Sequence, residues 1–192
     1  MPYSKEHKTQ SRERILASAI TLFSRRGYDN VTLDAVMSHA GMTRGAFYNH
    51  FGSKQELYAE GMKSAVLKSL INNDKTKGID ATEHLQRFIK SYLSQAHLQQ
   101  SDSPCPMAFL VTDVANHEPE VREIYTHIFK SFSHRMSTFM QGDEANTSQR
   151  GQALAALLIG GVAVCRALNE PKLVEEVLAA CLAMATSFIK VE

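Results

Sequence analysis

The side chains best suited to recognition chemistry lie in one stretch of the chain, TLDAVMSHAGMTRGAFYNHFGSK. Arg44 has donors that suit the major-groove edge of guanine, and Asn49 can pair in the same way with adenine. Gly45 and Ala46 are small enough to allow a close approach to a base. The stretch predicts a helix that reads double-stranded DNA. The candidate contact residues are Thr32, Thr43, Arg44, Gly45, Ala46, Tyr48, Asn49, His50 and Lys54.

Three helix starts are predicted within this stretch. Thr32 and Thr43 are each placed as N-caps, and Ser53 with Glu56 three residues later has the spacing of a capping box. Gly41 is suited to ending the first of these helices, because glycine adopts the left-handed conformation without strain. Start signals this close together leave room only for short helices at steep angles.

A longer helix over residues 9–26 must support these short ones. Ile15, Ala19, Leu22 and Phe23 recur at helical spacing and form one apolar stripe. Two helices of about eight residues bury too little surface to be stable alone. The stripe therefore predicts a three-helix head with a shared core.

The rest of the chain predicts a helical bundle. Apolar periodicity and turn residues place helices at about 56–70, 81–99, 107–116, 119–140, 148–168 and 171–190, with a polar linker at 72–78 and a loop at 100–106. No segment has the pattern of a strand. The predicted fold class is all-α, with a helix-turn-helix head and a C-terminal bundle.

Charge is distributed unevenly between the two parts. The whole chain carries +1, whereas residues 1–54 hold eight basic and four acidic side chains, a balance of +4. A basic head on a mildly acidic body suits a protein that presents one end to phosphate. The polar N-terminus does not read as a signal peptide, and the apolar run from Ala153 to Cys165 is too short to span a bilayer. Three cysteines at no metal spacing favour a reducing compartment, so we expect a cytoplasmic protein without a membrane partner.

Residues 9–58 resemble the DNA-binding domain of the TetR family of transcriptional repressors. The matching positions are Gly27-Tyr28, Thr32, Ala40-Gly41, Gly45, Phe47-Tyr48, His50-Phe51 and Ser53-Lys54. The resemblance implies a DNA-binding domain over residues 1–55 and a ligand-binding and dimerisation domain over 56–192. It also implies a homodimer on a palindromic operator, released by a small-molecule effector.

The last two predicted helices have apolar surfaces suited to a dimer. The first carries Ala153, Ala156, Leu157, Gly160, Gly161, Val164, Cys165 and Leu168, and the second carries Val174, Val177, Leu178, Cys181, Leu182, Ala185 and Phe188. Two copies of such a pair could form a four-helix interface about a two-fold axis. The alternative is that these residues fill the core of a single protomer.

The middle of the chain is expected to hold the effector site, because aromatic and adaptable side chains are concentrated there. The candidate ligand-binding residues are Phe88, Tyr92, Cys105, Phe109, Thr112, Asp113, Asn116, Tyr125 and Phe129, with His117 and Arg166 as further polar anchors. Ordinary core packing is the alternative for each of them.

Cys105 raises a second possibility, because it stands between two prolines just before a helix start, where a thiol pKa can be lowered. It could therefore act as a sensor of electrophiles or oxidants; the alternative is a small residue at a tight corner. Asp113 and His117 share a helix face, but no HExxH motif or paired CxxC supports a metal site, and no cofactor is expected.

Two other classes of protein compete with a regulator. An enzyme would need a nucleophile and a base, and Cys105 with His117 is the one pair that suggests itself, without an orienting group or an oxyanion signature. A helical protein-interaction module would need no Arg44, Tyr48 and Lys54 constellation. The sequence therefore favours a DNA-binding regulator that is not an enzyme.

Overall fold

The computed structural model describes residues 5–72, 80–99 and 105–189, and every regular element in these ranges is a helix. The helices are α1 (Lys5–Arg26), α2 (Leu33–His39), α3 (Arg44–Phe47), α4 (Lys54–Asn72), α5 (Ala81–Tyr92), α6 (Gln95–Leu98), α7 (Pro106–Phe109), α8 (Val111–Val114), α9 (Pro119–Ser137), α10 (Glu144–Ala167) and α11 (Pro171–Ser187). The all-α prediction is confirmed. The predicted linker at 72–78 and loop at 100–106 lie largely outside the described residues.

Most of the predicted helix ends in the head are present. The Thr32 hydroxyl accepts a hydrogen bond from the Ala35 N–H at 3.1 Å, and Gly41 has a φ of +67° just after α2. The predicted cap at Thr43 is wrong in one respect, because its side chain makes no capping hydrogen bond. Ser53 Oγ accepts from the Glu56 N–H as a capping box requires.

The predicted apolar stripe of α1 forms the core of the head. Phe23 and Ile15 have no exposed surface, and neither do Val36 of α2 and Phe47 of α3. Arg14 donates a hydrogen bond to the Ala40 carbonyl at 2.7 Å, which ties α1 to the end of α2. The short helices are therefore stable because they share a core with α1.

Helix α4 joins the head to the body. It packs against α1 on one side and against α9 on the other. Its first residue, Lys54, lies just before the predicted domain boundary between residues 55 and 56, so one continuous helix crosses that boundary. A rotation of α4 would therefore change its contacts with both α1 of the head and α9 of the body.

Two predicted helices of the body are each broken in two. The segment predicted as one helix over 81–99 ends at Tyr92, and the Ser94 hydroxyl starts α6 by accepting a hydrogen bond from the His97 N–H at 3.2 Å. The segment predicted at 107–116 breaks at Leu110, which has a φ of −114° and a ψ of 4°. Side-chain capping by serine is a local competitor that apolar periodicity does not register.

Helix α10 begins earlier than the predicted residue 148 because Asp143 caps it, accepting from the Asn146 N–H at 3.0 Å. Within the described residues it is the one helix long and apolar enough, by length and composition, to cross a membrane. Leu154, Leu158 and Val162 of this helix are nevertheless fully buried against the rest of the protein. In this fold α10 is a core helix packed between α9 and α11.

Helices α9 and α10 approach closely at Gly151. A Cβ built there would lie 2.7 Å from the Ser133 carbonyl oxygen, whereas a Cβ at Gly160 would meet no atom within 4 Å. We expect Gly151→Ala to lower the free energy of unfolding by about 1–3 kcal/mol, because backbone must move to admit the methyl group. Urea denaturation at fixed protein concentration measures it. Gly160→Ala is the control, and an equal loss in both variants would contradict the close-approach explanation.

Candidate functional site

The predicted recognition helix is short and has one anchored face. Phe47 is fully buried, and its ring meets those of Tyr48 and Phe51 at centroid distances of 5.1 and 5.8 Å. Tyr48 is nevertheless 62% exposed, and Arg44 is exposed beside it. The fold thus turns a set of polar and aromatic side chains outward from a small buried anchor.

The predicted DNA-contact residues fall into two groups. Thr32, Thr43, Arg44, Gly45, Tyr48 and Asn49 are exposed. Ala46, His50 and Lys54 are partly buried, and Ala46 packs against the core. The pKa of His50 is lowered by burial and by the nearby charges of Lys8 and Arg12, so its imidazole is held neutral.

Arg44 is paired within the head. Its Nη1 donates to Asp34 Oδ2 at 2.7 Å, and both side chains are more than half exposed. An exposed pair of this kind contributes at most about 1 kcal/mol. The guanidinium can therefore leave Asp34 for a stronger acceptor at little cost.

Lys54 is committed to an internal contact. Its Nζ donates to the Tyr28 carbonyl at 2.6 Å and lies 4.0 Å from the centroid of the Tyr28 ring. Burial lowers the pKa of Lys54, while Asp29 and Asp113 oppose this shift. The structure thus gives Lys54 a positioning contact that the sequence interpretation, which named it as a DNA-contact residue, did not foresee.

Tyr28 belongs to a cluster that joins the head to the body, which we call the junction cluster: Tyr28, Lys54, Tyr58, Asp113 and His117. Asp113 of α8 accepts a hydrogen bond from the Tyr28 N–H at 3.1 Å and another from the Tyr58 hydroxyl at 2.5 Å. His117 Nε2 lies 3.3 Å from the same carboxylate. Burial and the bond to Asp113 raise the pKa of Tyr58, which keeps its hydroxyl protonated as a donor.

Arg166 of α10 makes a second link between body and head. It donates to the Ser24 carbonyl at the end of α1 at 3.3 Å and to the Phe109 carbonyl at 3.4 Å. Its guanidinium also lies 3.6 Å from the centroid of the Phe109 ring, a cation–π contact. Arg166 therefore acts as a tether between α10, α7 and α1 in this state.

An aromatic cluster lies further into the body: Phe88, Tyr92, His97, Phe109 and Phe132. The Tyr92 ring is 4.3 Å from that of His97, 5.7 Å from that of Phe88 and 5.9 Å from that of Phe132. His97 and Phe109 are 6.5 Å apart. Phe88, His97 and Phe109 are partly exposed. The cluster is therefore not completely buried.

Cys105 lies next to this cluster. Its Sγ is 3.4 Å from the Tyr92 hydroxyl, and the Tyr125 hydroxyl donates to the Met107 carbonyl nearby at 2.7 Å. Burial raises the pKa of the Cys105 thiol and outweighs the opposing hydrogen bonds from Tyr92 and the backbone. The lowered pKa expected at a helix start is absent because burial dominates, so the structure gives the thiol-sensor alternative no support.

Other predicted effector residues lie elsewhere. Thr112 and Asn116 are exposed, and the Asn116 amide donates to the Thr112 carbonyl at 3.2 Å. Phe129 is partly buried on α9, and Asp113 belongs to the junction cluster. His117 contacts Asp113, whereas Cys105 contacts Tyr92, so the nucleophile and base considered for an enzyme have different partners. No group of three metal-ligating side chains occurs within the described ranges.

The residues predicted for a dimer face divide between two roles. Gly161, Cys165, Val174, Leu178 and Ala185 are buried within the protomer, which corrects their assignment to a partner-facing surface. The physical reason is that α10 and α11 pack on each other, with Cys181 Sγ only 2.9 Å from a Cβ built at Gly161. Val164 on α10 is 52% exposed, in contrast.

His97 and Tyr58 are the important residues that sequence interpretation missed. In one continuous helix His97 would lie about 140° around the axis from Tyr92, since each residue turns about 100°. The break at Ser94 brings the two rings together, and the Ser94 cap was the available signal. Tyr58 carries no such local signal, because its partner Asp113 is 55 residues away.

Comparison with known proteins identifies the head. Residues 15–60 match the family model described as bacterial regulatory proteins, tetR family. The chain is 29% identical over 160 residues to the uncharacterized HTH-type transcriptional regulator YxaF of Bacillus subtilis (strain 168), covering 79% of this chain and 83% of YxaF. It is 30% identical over 84 residues to IcaR of Staphylococcus aureus (strain Newman), the HTH-type negative transcriptional regulator of the biofilm operon icaADBC, covering 43% of this chain and 45% of IcaR.

The fold of the whole chain has solved counterparts. The crystal structure of a TetR transcriptional regulator from Legionella pneumophila superposes with a TM-score of 0.78 at 18% identity, covering 99% of this chain and all of that one. The family match of the head, the relatives in sequence and the structural counterparts all indicate the same class of protein. These relatives are regulators of transcription and not enzymes. Residues 15–60 are thus the head of a bacterial regulatory protein of the TetR family, and the chain as a whole shares the fold of a solved TetR regulator.

Proposed function

We propose that this regulator is a cytoplasmic homodimeric repressor that binds a palindromic operator through α3 and is released by a small-molecule effector bound in its body. The observation that carries the DNA-binding part is the exposed surface formed by Arg44, Gly45, Tyr48 and Asn49 on a helix anchored by the buried Phe47. IcaR is by name a negative regulator, and we extend that sign of control to this chain.

Gly45 supports the assignment of this surface to DNA. A Cβ built at Gly45 would meet no atom within 4 Å, and its φ is not positive. The chain's own packing and backbone conformation therefore do not require glycine here. A residue without a side chain on an exposed helix suits the close approach of a groove wall.

Arg44 is the residue to test for base reading. A palindromic site is first selected from a pool of random duplexes with the unmutated protein. We expect Arg44→Ala to weaken binding to this selected palindrome by about 1–3 kcal/mol and to relax sequence preference, because a bidentate guanine contact is lost. Fluorescence anisotropy with specific and random duplexes at one salt concentration measures both. Arg26→Ala is the control, with the same change of charge elsewhere in the head. An equal loss on both duplexes would show that Arg44 contacts only phosphate.

The outer surface of α10 and α11 supports the dimer. Val164, Leu173 and Met184 are 52%, 37% and 58% exposed, and Tyr48 is the one other large hydrophobic residue exposed to this degree among the described residues. Gly160 on the same helix has open space beside it. Large apolar side chains on two adjacent helices favour a partner surface, since water solvates them poorly.

Charged substitutions on this surface test the dimer. We expect Val164→Glu with Met184→Glu to weaken self-association at least about a hundredfold, because carboxylates would be buried without partners. Light scattering after size exclusion gives the mass. Gln86→Glu, on the exposed side of α5, is the control for added charge. A double variant that stays dimeric would place the interface elsewhere.

The junction cluster supports the proposal that a conformational change in the body is transmitted to the head. Asp113 contacts Tyr58 on α4 and the backbone of Tyr28 in the head, so a shift of α8 moves two bonded partners together. An effector can act only through a difference in its affinity for the two arrangements of this contact. The distance between the two reading helices, about 34–36 Å for successive half-sites, would change as α4 tilts.

Tyr58→Phe removes one of these bonds and keeps the ring. We expect affinity for the full palindrome to fall at least about fivefold while affinity for a single half-site is nearly unchanged, because the head loses its fixed position and not its contacts. Tyr125→Phe is the control, since its hydroxyl donates to the Met107 carbonyl, a bond that lies within the body. Both affinities are measured by anisotropy, and equal losses on the two duplexes would contradict a positioning role.

A further inference from the structure

His97 has a buried nitrogen without a partner. Among the side-chain atoms of residues 6–65, 80–99 and 105–189, three are buried and make no hydrogen bond: Ser24 Oγ, His50 Nδ1 and His97 Nε2. Buried polar groups are almost always paired, so each exception requires an explanation. Ser24 has a rotatable hydroxyl within a helix, and His50 lies in the head. His97 alone is among the aromatic side chains of the body.

The orientation of the His97 ring is informative. The residue as a whole is partly exposed, whereas Nε2 has essentially no exposed surface. The nitrogen is therefore turned inward, and the centroid of the His97 ring lies 4.3 Å from that of Tyr92 and 6.5 Å from that of Phe109. Burial lowers the pKa of His97 to about 4, so the imidazole is neutral at physiological pH.

The neighbouring groups define the chemistry of a ligand. They are aromatic rings, the Tyr92 hydroxyl and the Cys105 thiol, and none of them carries a charge. The hydroxyl and the thiol are hydrogen-bonded to each other, with oxygen and sulfur 3.4 Å apart. The guanidinium of Arg166 lies against the Phe109 ring and already donates to the Phe109 and Ser24 carbonyls. A charged ligand would lose its hydration here without a free counter-charge. An uncharged aromatic molecule would lose little and gain contact with the rings.

The hydrogen-bonding capacity of His97 Nε2 limits the class of ligand further. A neutral imidazole nitrogen donates or accepts according to its tautomer, and a hydroxyl group satisfies either form because it does both. From these observations we propose that His97 Nε2 is the polar anchor of an effector subsite that binds an uncharged aromatic compound bearing a hydroxyl group, with Tyr92 and Phe109 against its ring. This inference rests on the proposed function, since it treats the body as an effector-binding domain.

Three matched probes test the subsite on the full-length dimer. These are 2-naphthol, 2-methylnaphthalene, which lacks the hydroxyl, and 2-naphthoate, which is charged. We expect calorimetry to show that 2-naphthol binds at least about tenfold more tightly than either of the others, the ratio that one satisfied buried hydrogen bond supports. Equal binding of 2-naphthol and 2-methylnaphthalene, or no binding of 2-naphthol, would overturn the proposal.

Two variants test whether the preference for 2-naphthol depends on His97. His97→Phe keeps the ring and removes the nitrogen, and we expect it to abolish the preference for 2-naphthol. His127→Phe, at an exposed position on α9, should keep that preference. A preference that survives in His97→Phe would assign the hydroxyl to another residue and overturn the proposal. Circular dichroism checks that both variants fold.

A measurement on the unmutated protein keeps the test independent of folding. In a long-range ¹H–¹⁵N spectrum the His97 Nε2 resonance should shift on addition of 2-naphthol and not on addition of 2-methylnaphthalene. A His97 Nε2 resonance that does not shift with 2-naphthol would overturn the proposal. Binding to the selected palindrome is measured in parallel. Failure of the unmutated protein to bind the palindrome in the absence of any probe would count against the proposed function, whereas intact DNA binding without a probe preference would count against this subsite alone.

Discussion

The position of the head relative to the body depends on the hydrogen bonds that the Asp113 carboxylate accepts. This carboxylate accepts from the Tyr28 N–H of the head and from the Tyr58 hydroxyl of α4, so one residue of the body positions both the turn after α1 and the helix that connects the two parts. Hydrogen bonds to an ionised acceptor are stronger than neutral ones, and this carboxylate is only about a quarter exposed. Lys54 and His117 surround the same Tyr28 ring, and Arg166 adds a second link from α10 to the end of α1. The head is thus tied to the body by a few polar bonds that can be exchanged, beside an apolar core that is continuous across the two parts.

The two clusters of the body differ in their physical character, and that difference suits two tasks. The junction cluster contains charged groups with satisfied partners, which favours a definite geometry. The aromatic cluster contains neutral polar atoms, one of them unpaired, among rings that are partly open to solvent. Helices α7 and α8 connect them through only a few residues, since Phe109 contacts the His97 ring and Asp113 follows four residues later. A ligand that moves Phe109 would therefore act close to the bonds that hold the head.

Helix α3, the proposed recognition helix, illustrates how little local stability such an element needs. Helix α3 has four residues and no side-chain cap, and a helix of this length would not form by itself. The buried Phe47 and the shared core with α1 fix its position, so the exposed Arg44 and Gly45 are not needed to hold it in place. Arg44 is held only by an exposed ion pair to Asp34, so its guanidinium stays available while remaining ordered.

The sequence by itself determined the head and the class of fold. Thr32, Gly27 and Gly41 act on their own neighbours, and the α1 stripe repeats at a fixed spacing, so these features are encoded within a few residues of where they act. The partners of polar side chains were decided only by tertiary structure. Asp113 meets Tyr28 across 85 residues, Lys54 turns to the Tyr28 carbonyl, and the break at Ser94 brings His97 against Tyr92. The same holds for α10 and α11, whose apolar residues divide between core and surface according to how the two helices pack. Contacts between elements distant in the chain depend on the packing of the whole bundle, and no local pattern of residue types specifies them.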